Sequence, residues 1–289
     1  MKKILFKGAG SAIPTPFNET GINIKELKKF LEFQIENKID ALIVCGTTGE
    51  SSSMTKDEKI QVIKYTLEVS NGKVPIIAGT GSNNTKEAIE MSRIAEDLGV
   101  DGVLVVTPYY NKTTQLGLIE HYKAIANNIK IPIILYNVPS RTGINIEPET
   151  CLELSKIENI VAIKEASGNL SQIARIANLC GNNLHIYSGN DDQSIPICSL
   201  GGLGVISVLS NIKPKYTHDM IYDFFNDNID EARKKQIDSI PLINSLFSEV
   251  NPIPIKAALN KIGFNFGSPR MPLIEITEKN KNTLFSLLN

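Results

Sequence analysis

The chain has 289 residues, of which 42% are hydrophobic and 21% charged, and this composition is ordinary for a globular protein. Its 30 basic and 31 acidic residues leave a formal net charge of -1, which excludes the strong positive field of a nucleic-acid-binding surface. No apolar run reaches the roughly 18–20 residues that span a bilayer. Lys7 interrupts the short apolar stretch near the N-terminus, so we expect a first strand there rather than a signal peptide.

Short apolar runs rich in β-branched residues recur along the first 210 residues, and this pattern predicts buried strands. Their starts are separated by roughly 20–34 residues, which leaves room for one helix in each gap. The eight predicted strands are Ser11–Pro14, Ala41–Cys45, Pro75–Ala78, Gly102–Val106, Pro132–Tyr136, Ile160–Lys164, Leu184–Tyr187 and Gly204–Val208.

Helical spacing of apolar residues fills most of the gaps between these strands. The first three predicted helices are Ile24–Asn37, Lys56–Ser70 and Thr85–Leu98. Thr55, with Glu58 three residues later, forms a capping-box pattern at the start of the second helix. Gly99 and Gly181 stand where helices are expected to end, because glycine readily adopts the left-handed conformation of a C-terminal cap.

Eight strands that alternate with helices within about 200 residues favour a closed (β/α)8 TIM barrel. A doubly wound sheet is the alternative, but GTGSNN at residues 79–84 lacks the third glycine of a dinucleotide-binding turn. Four further helices are predicted after residue 210: Tyr216–Phe225, Ile229–Phe247, Pro254–Lys261 and Thr277–Leu288. We expect a barrel over residues 1–225 and a C-terminal helical extension over 226–289, which is not an independent domain because no linker separates them.

The segments that follow the predicted strands are rich in glycine, hydroxyl and tyrosine side chains. In a parallel barrel these carboxyl ends of the strands form one rim, where active groups cluster. The segments are GTTGES at 46–51, GTGSN at 79–83, TPYYN at 107–111, YNVPSRTG at 136–143, KEASGN at 164–169 and SGNDD at 188–192. They contain one lysine, Lys164, and one arginine, Arg141.

Lys164 ends an apolar run, where a lysine is unusual because its ammonium group is rarely buried without a partner. Desolvation favours a neutral amine, which is the form that attacks a carbonyl carbon. Lys164 is therefore a candidate for a Schiff base with a keto substrate. The alternative is a structural lysine paired with a carboxylate such as Glu165, although strand alternation should point these neighbours to opposite faces.

Three further features of the rim have both a chemical and an ordinary interpretation. The hydroxyl of Tyr136 can relay protons during imine formation, or it can be a satisfied rim hydroxyl. Arg141 has the fork of donors that suits a carboxylate, although most loop arginines are simply solvated. The turn GTTGE offers N–H groups and two hydroxyls that can cradle a small carboxylate, or it can be only a turn.

Cysteine and histidine spacing gives no sign of a metal site or of a disulfide framework. The residues are Cys45, Cys151, Cys180, Cys198, His121, His185 and His218. The absence of a CxxC pair suits a reducing compartment, so we expect a cytoplasmic protein with cysteines in its core and structural histidines.

Taken together, GTTGES, TPYYN, ILYNVPSRTG, IKEASGN and SGNDD resemble the dihydrodipicolinate synthase family in order and spacing. The resemblance runs from about Gly8 to the end of the chain and includes NPIPIKAAL at Asn251–Leu259. It implies a (β/α)8 lyase of the lysine-dependent pyruvate aldolase class that needs no metal or organic cofactor. The implied reaction condenses pyruvate with L-aspartate 4-semialdehyde to give 4-hydroxy-tetrahydrodipicolinate, the committed step of diaminopimelate and lysine biosynthesis.

The resemblance also assigns roles to the residues that match the family's motifs. Lys164 would form the Schiff base with pyruvate. Tyr136 would relay protons in a hydrogen-bonded triad with Thr47 and Tyr110. In the family the tyrosine that matches Tyr110 crosses a subunit interface, which implies a homo-oligomer, usually a tetramer built as a dimer of dimers.

Four further positions would bind substrate if the resemblance holds. Thr48 would bind the pyruvate carboxylate, and Arg141 would hold the carboxylate of the semialdehyde. The backbone carbonyls of Gly189 and Ile206 would line the site.

Feedback-inhibited members of the family have an interface pocket for L-lysine. The residues that match this pocket are Ser51, Asn83, Glu87 and Tyr109, whereas Lys56 and Lys59 stand where sensitive enzymes often carry histidine. A fixed ammonium group repels a cationic ligand. We therefore expect a vestigial regulatory site with weak or absent inhibition by L-lysine; the ordinary alternative for the two lysines is a solvated helix face.

Two other functions fit part of the sequence. Sialic-acid and keto-deoxy sugar acid lyases resemble GTTGE and the strand lysine, but they typically lack an arginine that matches Arg141, because a polyol acceptor needs neutral hydrogen-bonding groups. A non-catalytic ligand-binding barrel would lack a catalytic group, and none of the implied groups is missing here.

Overall fold

Ten strands are present in a computed structural model, which describes residues 2–288. They are β1 Gly8–Ala12, β2 Phe17–Asn18, β3 Gly21–Ile22, β4 Ala41–Val44, β5 Ile76–Gly79, β6 Gly102–Val106, β7 Ile133–Asn137, β8 Ile160–Glu165, β9 His185–Ser188 and β10 Gly204–Ser207. Eight of them close a barrel in the order β1-β10-β9-β8-β7-β6-β5-β4, while β2 and β3 form a separate antiparallel hairpin. The expected (β/α)8 barrel is confirmed.

Helices alternate with the barrel strands and continue beyond the last one. Those in the described residues are α1 Ile24–Glu36, α2 Lys56–Ser70, α3 Thr85–Leu98, α4 Gln115–Ala126, α5 Pro139–Thr142, α6 Pro148–Ser155, α7 Leu170–Cys180, α8 Ser194–Ser199, α9 Pro214–Phe225, α10 Ile229–Leu246, α11 Ile253–Lys261 and α12 Glu278–Ser286. None of these helices is both long and apolar enough to cross a membrane.

The predicted capping box at the start of α2 is confirmed. The Oγ1 atom of Thr55 accepts a hydrogen bond from the Glu58 N–H at 3.2 Å, and the Thr55 N–H donates to Glu58 Oε2 at 2.9 Å. Gly99 ends α3 in the left-handed conformation, with φ of 92°. The side chains of Thr55 and Glu58 therefore cap the start of α2, and Gly99 ends α3, as the sequence predicts.

The first strand was predicted too late in the chain, because it covers Gly8–Ala12 rather than Ser11–Pro14. Glycine is depleted in strands, so the sequence pattern places the start of this strand after Gly8 and Gly10. Gly8 is nevertheless required here: its φ is +114°, and a Cβ atom would lie 2.2 Å from Oδ2 of Asp40. The Asp40 carboxylate instead accepts the Ala9 N–H at 2.7 Å.

Residue contacts divide the described chain into two compact units. The first unit contains residues 2–7 and 77–206, and the second contains residues 8–76 and 207–288. In the first unit, β8 pairs with β7 so that Lys164 is opposite Tyr136 and Glu165 is opposite Asn137. In the second unit, the ring of Phe30 packs edge to face on Phe266, with their centroids 4.9 Å apart.

Candidate active site

Lys164 lies in the first unit, at the end of β8, and only 6% of the residue is exposed. Its Nζ atom lies 4.4 Å from the centroid of the Tyr136 ring, on the paired strand β7. In the described part of the chain, no carboxylate forms an ion pair with this amine. The lysine is therefore buried against an aromatic face rather than against a carboxylate.

Glu165 is not the partner of Lys164, so the structural alternative of a paired lysine is wrong. The Glu165 carboxylate accepts hydrogen bonds from Asn137 Nδ2 at 3.1 Å and from Gln172 Nε2 at 3.1 Å. The two neighbours thus point to opposite sides of the strand, as alternation predicts. Burial raises the pKa of Glu165, and the hydrogen bonds that it accepts oppose this shift.

Gly189 lies directly against the Lys164 side chain. A Cβ atom at this position would lie 3.1 Å from Cε of Lys164 and 2.7 Å from Cβ of Ala166. The Gly189 N–H donates to the Glu165 carbonyl at 2.7 Å, which holds the two segments together. Glycine is therefore needed here for space rather than for an unusual φ. Ile206, another expected site residue of this unit, is buried in β10.

Tyr110 and Arg141 belong to the same unit but have exposed side chains. Tyr110 is 92% exposed and has a φ of 69°, which is uncommon for a residue with a side chain. Arg141 is exposed on the short helix α5, where its N–H donates to the Val138 carbonyl at 2.9 Å. The Tyr110 ring therefore lies on the surface of the chain, on a backbone conformation that few side chains adopt.

The GTTGES loop belongs to the second unit and follows β4. Thr48 is 4% exposed, and its Oγ1 atom accepts a hydrogen bond from Asn251 Nδ2 at 2.9 Å. Thr47 is half-buried, and its carbonyl accepts the Glu50 N–H at 3.1 Å. A Cβ atom at Gly49 would lie 3.1 Å from the Ile13 carbonyl, so this close turn requires glycine.

A buried ion pair anchors this loop to the C-terminal extension. The Nζ atom of Lys256, on α11, lies 2.8 Å from Oε1 of Glu50. The Arg270 N–H donates to Oε2 of the same carboxylate at 2.8 Å. Burial lowers the pKa of Lys256, and Glu50 opposes that shift. Sequence reasoning missed this anchor; the signal was a lysine within the apolar run NPIPIKAAL.

The residues expected to match a lysine-regulatory pocket divide between the units. Ser51 and Lys56 lie in the second unit, and Asn83, Glu87 and Tyr109 lie in the first. Glu87 accepts a hydrogen bond from the Ser82 hydroxyl at 3.0 Å. The Asn83 carbonyl accepts the side-chain amide of Asn111 at 3.0 Å.

The expected core positions of the cysteines are confirmed. The thiols of all four are free and buried. Burial raises the pKa of Cys45 and of Cys198 to about 12, which leaves negligible thiolate at neutral pH. Within residues 2–288, no group of three or more His, Cys, Asp or Glu side chains is arranged to hold a metal ion.

A parallel barrel in which one strand ends in a buried lysine, with a tyrosine ring and a glycine against its side chain, has the architecture of a lysine-dependent aldolase. The model of the Dihydrodipicolinate synthetase family matches residues 5–289. The chain belongs to this family.

Individual relatives agree with the family model. A protein of Clostridium acetobutylicum named 4-hydroxy-tetrahydrodipicolinate synthase 1 is 59% identical over 280 residues, which cover 97% of this chain and 96% of that protein. The crystal structure of dihydrodipicolinate synthase from Thermotoga maritima is 42% identical, has a TM-score of 0.97, and covers 99% of this chain and 98% of its own. A dihydrodipicolinate synthase from Acinetobacter baumannii in complex with pyruvate is 40% identical, has a TM-score of 0.95, and covers 98% of this chain and 97% of its own.

Proposed function

We propose that Lys164 forms the Schiff base in the reaction of this family. The chain is a lyase, and its reaction is the condensation of pyruvate with L-aspartate 4-semialdehyde to 4-hydroxy-tetrahydrodipicolinate. One observation carries the assignment of the nucleophile: Lys164 is buried, lies over the Tyr136 ring and has no carboxylate as an ion-pair partner among residues 2–288. The names of the relatives do not favour the sugar-acid lyases or a non-catalytic barrel.

The first steps form an imine. The neutral Nζ atom of Lys164 adds to the keto carbon of pyruvate, and loss of water gives the imine. Tyr136 relays the protons of this addition and elimination, together with the hydroxyls of Thr47 and Tyr110. The contact between the Lys164 amine and the Tyr136 ring supports this role for Tyr136.

The later steps form and release the product. Loss of a methyl proton converts the imine to an enamine, whose carbon attacks the aldehyde of the semialdehyde. The amine of that substrate then attacks the imine carbon, which closes the ring and frees Lys164. Each turnover joins the two substrates and releases one water, and the imine itself is the electron sink.

Substrate carboxylates need their own partners in this scheme. We assign the pyruvate carboxylate to Thr48, whose hydroxyl is fixed by Asn251. The guanidinium of Arg141 would take the carboxylate of the semialdehyde, because its fork of donors suits bidentate binding. The backbone carbonyls of Gly189 and Ile206 complete the lining.

A second copy of the chain is part of this proposal. Tyr110 is 92% exposed, although it is assigned to the proton relay. Insertion into a neighbouring subunit would bury the ring and complete that subunit's site, so we expect a dimer, paired into a tetramer. Sedimentation velocity tests this expectation, and a monomer that retains full activity would contradict it.

Two further expectations belong to the same proposal. We expect weak or absent inhibition by L-lysine, because Lys56 adds a positive charge where a cationic ligand would bind. A cytoplasmic location is supported by the free, buried state of all four cysteines.

Reductive trapping tests the central assignment. Incubation with pyruvate and borohydride should add a lactyl-sized mass to the peptide that contains Lys164. The Lys164→Ala variant should lose the adduct, whereas Lys130→Ala, which removes an exposed lysine, should keep it. An adduct on another lysine, or none on the wild-type protein, would refute the assignment. An assay with the semialdehyde and with sugar acids then identifies the acceptor.

A further inference from the structure

A buried polar network lies on the opposite side of β8 from the Lys164 amine. The Asn137 side-chain N–H groups donate to Glu165 Oε1 at 3.1 Å and Oε2 at 3.2 Å, and to Asn145 Oδ1 at 2.8 Å. Gln172 donates to Glu165 Oε2 at 3.1 Å, and the Ser167 N–H donates to Oε1 at 2.8 Å. Asn137 and Glu165 are both 0% exposed.

The network connects two strands at the register of the reactive pair. Tyr136 is opposite Lys164 in the β7–β8 ladder, and Asn137 is opposite Glu165 one residue further on. Since side chains alternate along a strand, Tyr136 and Lys164 share one face, and Asn137 and Glu165 share the other. A side-chain bond between Asn137 and Glu165 therefore ties the two strands together directly behind the amine and the ring.

The hydrogen bonds that reach the Glu165 carboxylate favour its ionised form. The Asn137 amide, the Gln172 amide and the Ser167 N–H all direct donors at the carboxylate oxygens. The ionised form accepts all of these bonds, and hydrogen bonds to an ionised group are stronger than neutral ones. Burial raises the pKa of Glu165, and these donors act against that shift.

The orientation of Asn137 is fixed from its other side as well. Its Oδ1 atom accepts the Ile146 N–H at 3.0 Å, so the amide cannot rotate without losing a buried bond. Asn145 and Gln172 form a reciprocal amide pair, with distances of 2.8 and 3.1 Å. The network thus has one self-consistent arrangement of donors and acceptors.

We propose that Glu165 and Asn137 are positioning residues, which hold β7 and β8 so that the Tyr136 ring and the Lys164 amine keep the geometry that imine formation needs. This inference rests on the proposed Schiff-base role of Lys164. Neither side chain touches the reacting atoms in this scheme. A displacement of about 1 Å at a reacting group costs roughly 100-fold in rate, so a loosened strand pair should slow the chemistry even in a folded protein.

Rapid-quench borohydride trapping separates positioning from a purely structural role. The time course with pyruvate gives a rate constant for imine formation, and its end point gives the fraction of competent sites. For Glu165→Ala we expect the rate constant to fall about 10- to 100-fold, while the end point, corrected for folded protein, stays near that of the wild type. The KM for the semialdehyde should not change, because the residue lies outside the acceptor site.

Milder variants keep the test decisive where Glu165→Ala does not fold. Glu165→Gln retains one acceptor oxygen but turns an N–H group toward the remaining donors, so we expect partial rescue, with a loss of about 3- to 10-fold. Asn137→Ala should slow imine formation similarly. Its effect should largely disappear in the Glu165→Ala background, because the two residues act through one bond.

A control variant removes a buried amide elsewhere. Gln34 is 0% exposed, accepts the Ser11 hydroxyl at 2.6 Å and donates to the Asn211 carbonyl at 3.1 Å. Gln34→Ala should lower the melting temperature without changing the rate constant of trapping. Unchanged rate constants in the Glu165 and Asn137 variants, with only lower end points, would overturn the proposal. Failure of the wild-type protein to trap pyruvate at Lys164 would instead refute the proposed function.

Discussion

The Nζ atom of Lys256 lies 2.8 Å from Oε1 of Glu50, and each side chain is only 1% exposed. This pair connects helix α11 of the C-terminal extension to the loop that contains Thr47 and Thr48. Removal of one charge leaves the other buried without its partner, which typically costs about 3–5 kcal/mol of unfolding free energy. The pair therefore contributes to the stability of a loop to which we assign substrate contacts.

Substitution of either partner tests this contribution. We expect Lys256→Met to lower the free energy of unfolding by about 3–5 kcal/mol, as measured by urea denaturation. The double variant Glu50→Gln with Lys256→Met should recover part of the loss, because no unpaired charge remains. A double variant as unstable as the single one would show that lost packing, rather than the unpaired carboxylate, dominates.

The contact of Gly189 with Lys164 predicts a specific loss of reactivity. In Gly189→Ala, the new methyl group would lie 2.7 Å from Ala166 Cβ and 3.1 Å from Lys164 Cε, so the neighbouring side chains must shift. We expect imine formation with pyruvate to slow by at least about 10-fold, as measured by borohydride trapping.

The new methyl group would also lie 3.1 Å from the Glu165 carbonyl oxygen, and a second substitution removes the closest of its three contacts. Ala166→Gly removes that contact, so the double variant Gly189→Ala with Ala166→Gly should regain stability while remaining slow. Full recovery of the rate of imine formation in the double variant would show that the loss in Gly189→Ala comes from the contact with Ala166 and not from the contact with Lys164.

His121 predicts a loss of stability in mild acid. Burial lowers its pKa to about 4, from 6.5. The unfolded chain therefore binds a proton between these values when the folded chain does not. The corresponding stability is fully present above pH 6.5 and is lost as the pH falls through 4. In His121→Phe, the decline of the melting temperature between pH 6.5 and pH 4 should be shallower.

A control variant for this prediction keeps the His121 ring and removes the Thr85 hydroxyl that is hydrogen-bonded to it. The Thr85 hydroxyl lies 2.9 Å from Nδ1 of His121. Thr85→Val should lower stability at every pH while the acid-dependent slope persists. Equal slopes in the wild-type protein and in His121→Phe would exclude this histidine as the source.

Measurement of inhibition by L-lysine tests the residues that match the family's regulatory pocket. We expect no half-inhibition of the condensation at sub-millimolar L-lysine, since Lys56 carries a charge of the same sign as the ligand. Lys56→His should increase the sensitivity. Lys64→His, at an exposed position of the same helix α2, is the matched control and should change nothing. Strong inhibition of the wild-type protein would contradict the prediction.

The sequence predicted correctly those helices whose bounds depend on residues close together in the chain. Helix α2 covers Lys56–Ser70 and α3 covers Thr85–Leu98, as predicted, because both helices have an apolar stripe and a side-chain cap at their start. The hairpin of β2 and β3 was missed, since strands of two residues carry no alternation to detect. Helix α6 was missed for a related reason: its eight residues give little more than two turns of periodicity.

The environment of the candidate site was only partly predictable. The opposite orientation of Lys164 and Glu165 follows from strand alternation alone. The partners of Glu165 do not, because Asn137 is 28 residues away in the sequence and meets Glu165 only through the strand register. The contact of Gly189 with Lys164 likewise depends on where β9 ends relative to β8, which a single sequence does not specify.

The hydrogen bond from Asn251 to Thr48 bears on how this chain can be shortened or fused to another protein. Asn251, Lys256 and Arg270 all lie beyond residue 225, yet each bonds to the loop after β4. Truncation of the chain after residue 225 removes all three bonds, so we expect the shortened protein to be insoluble. A fusion partner joined after α12 leaves all three bonds intact.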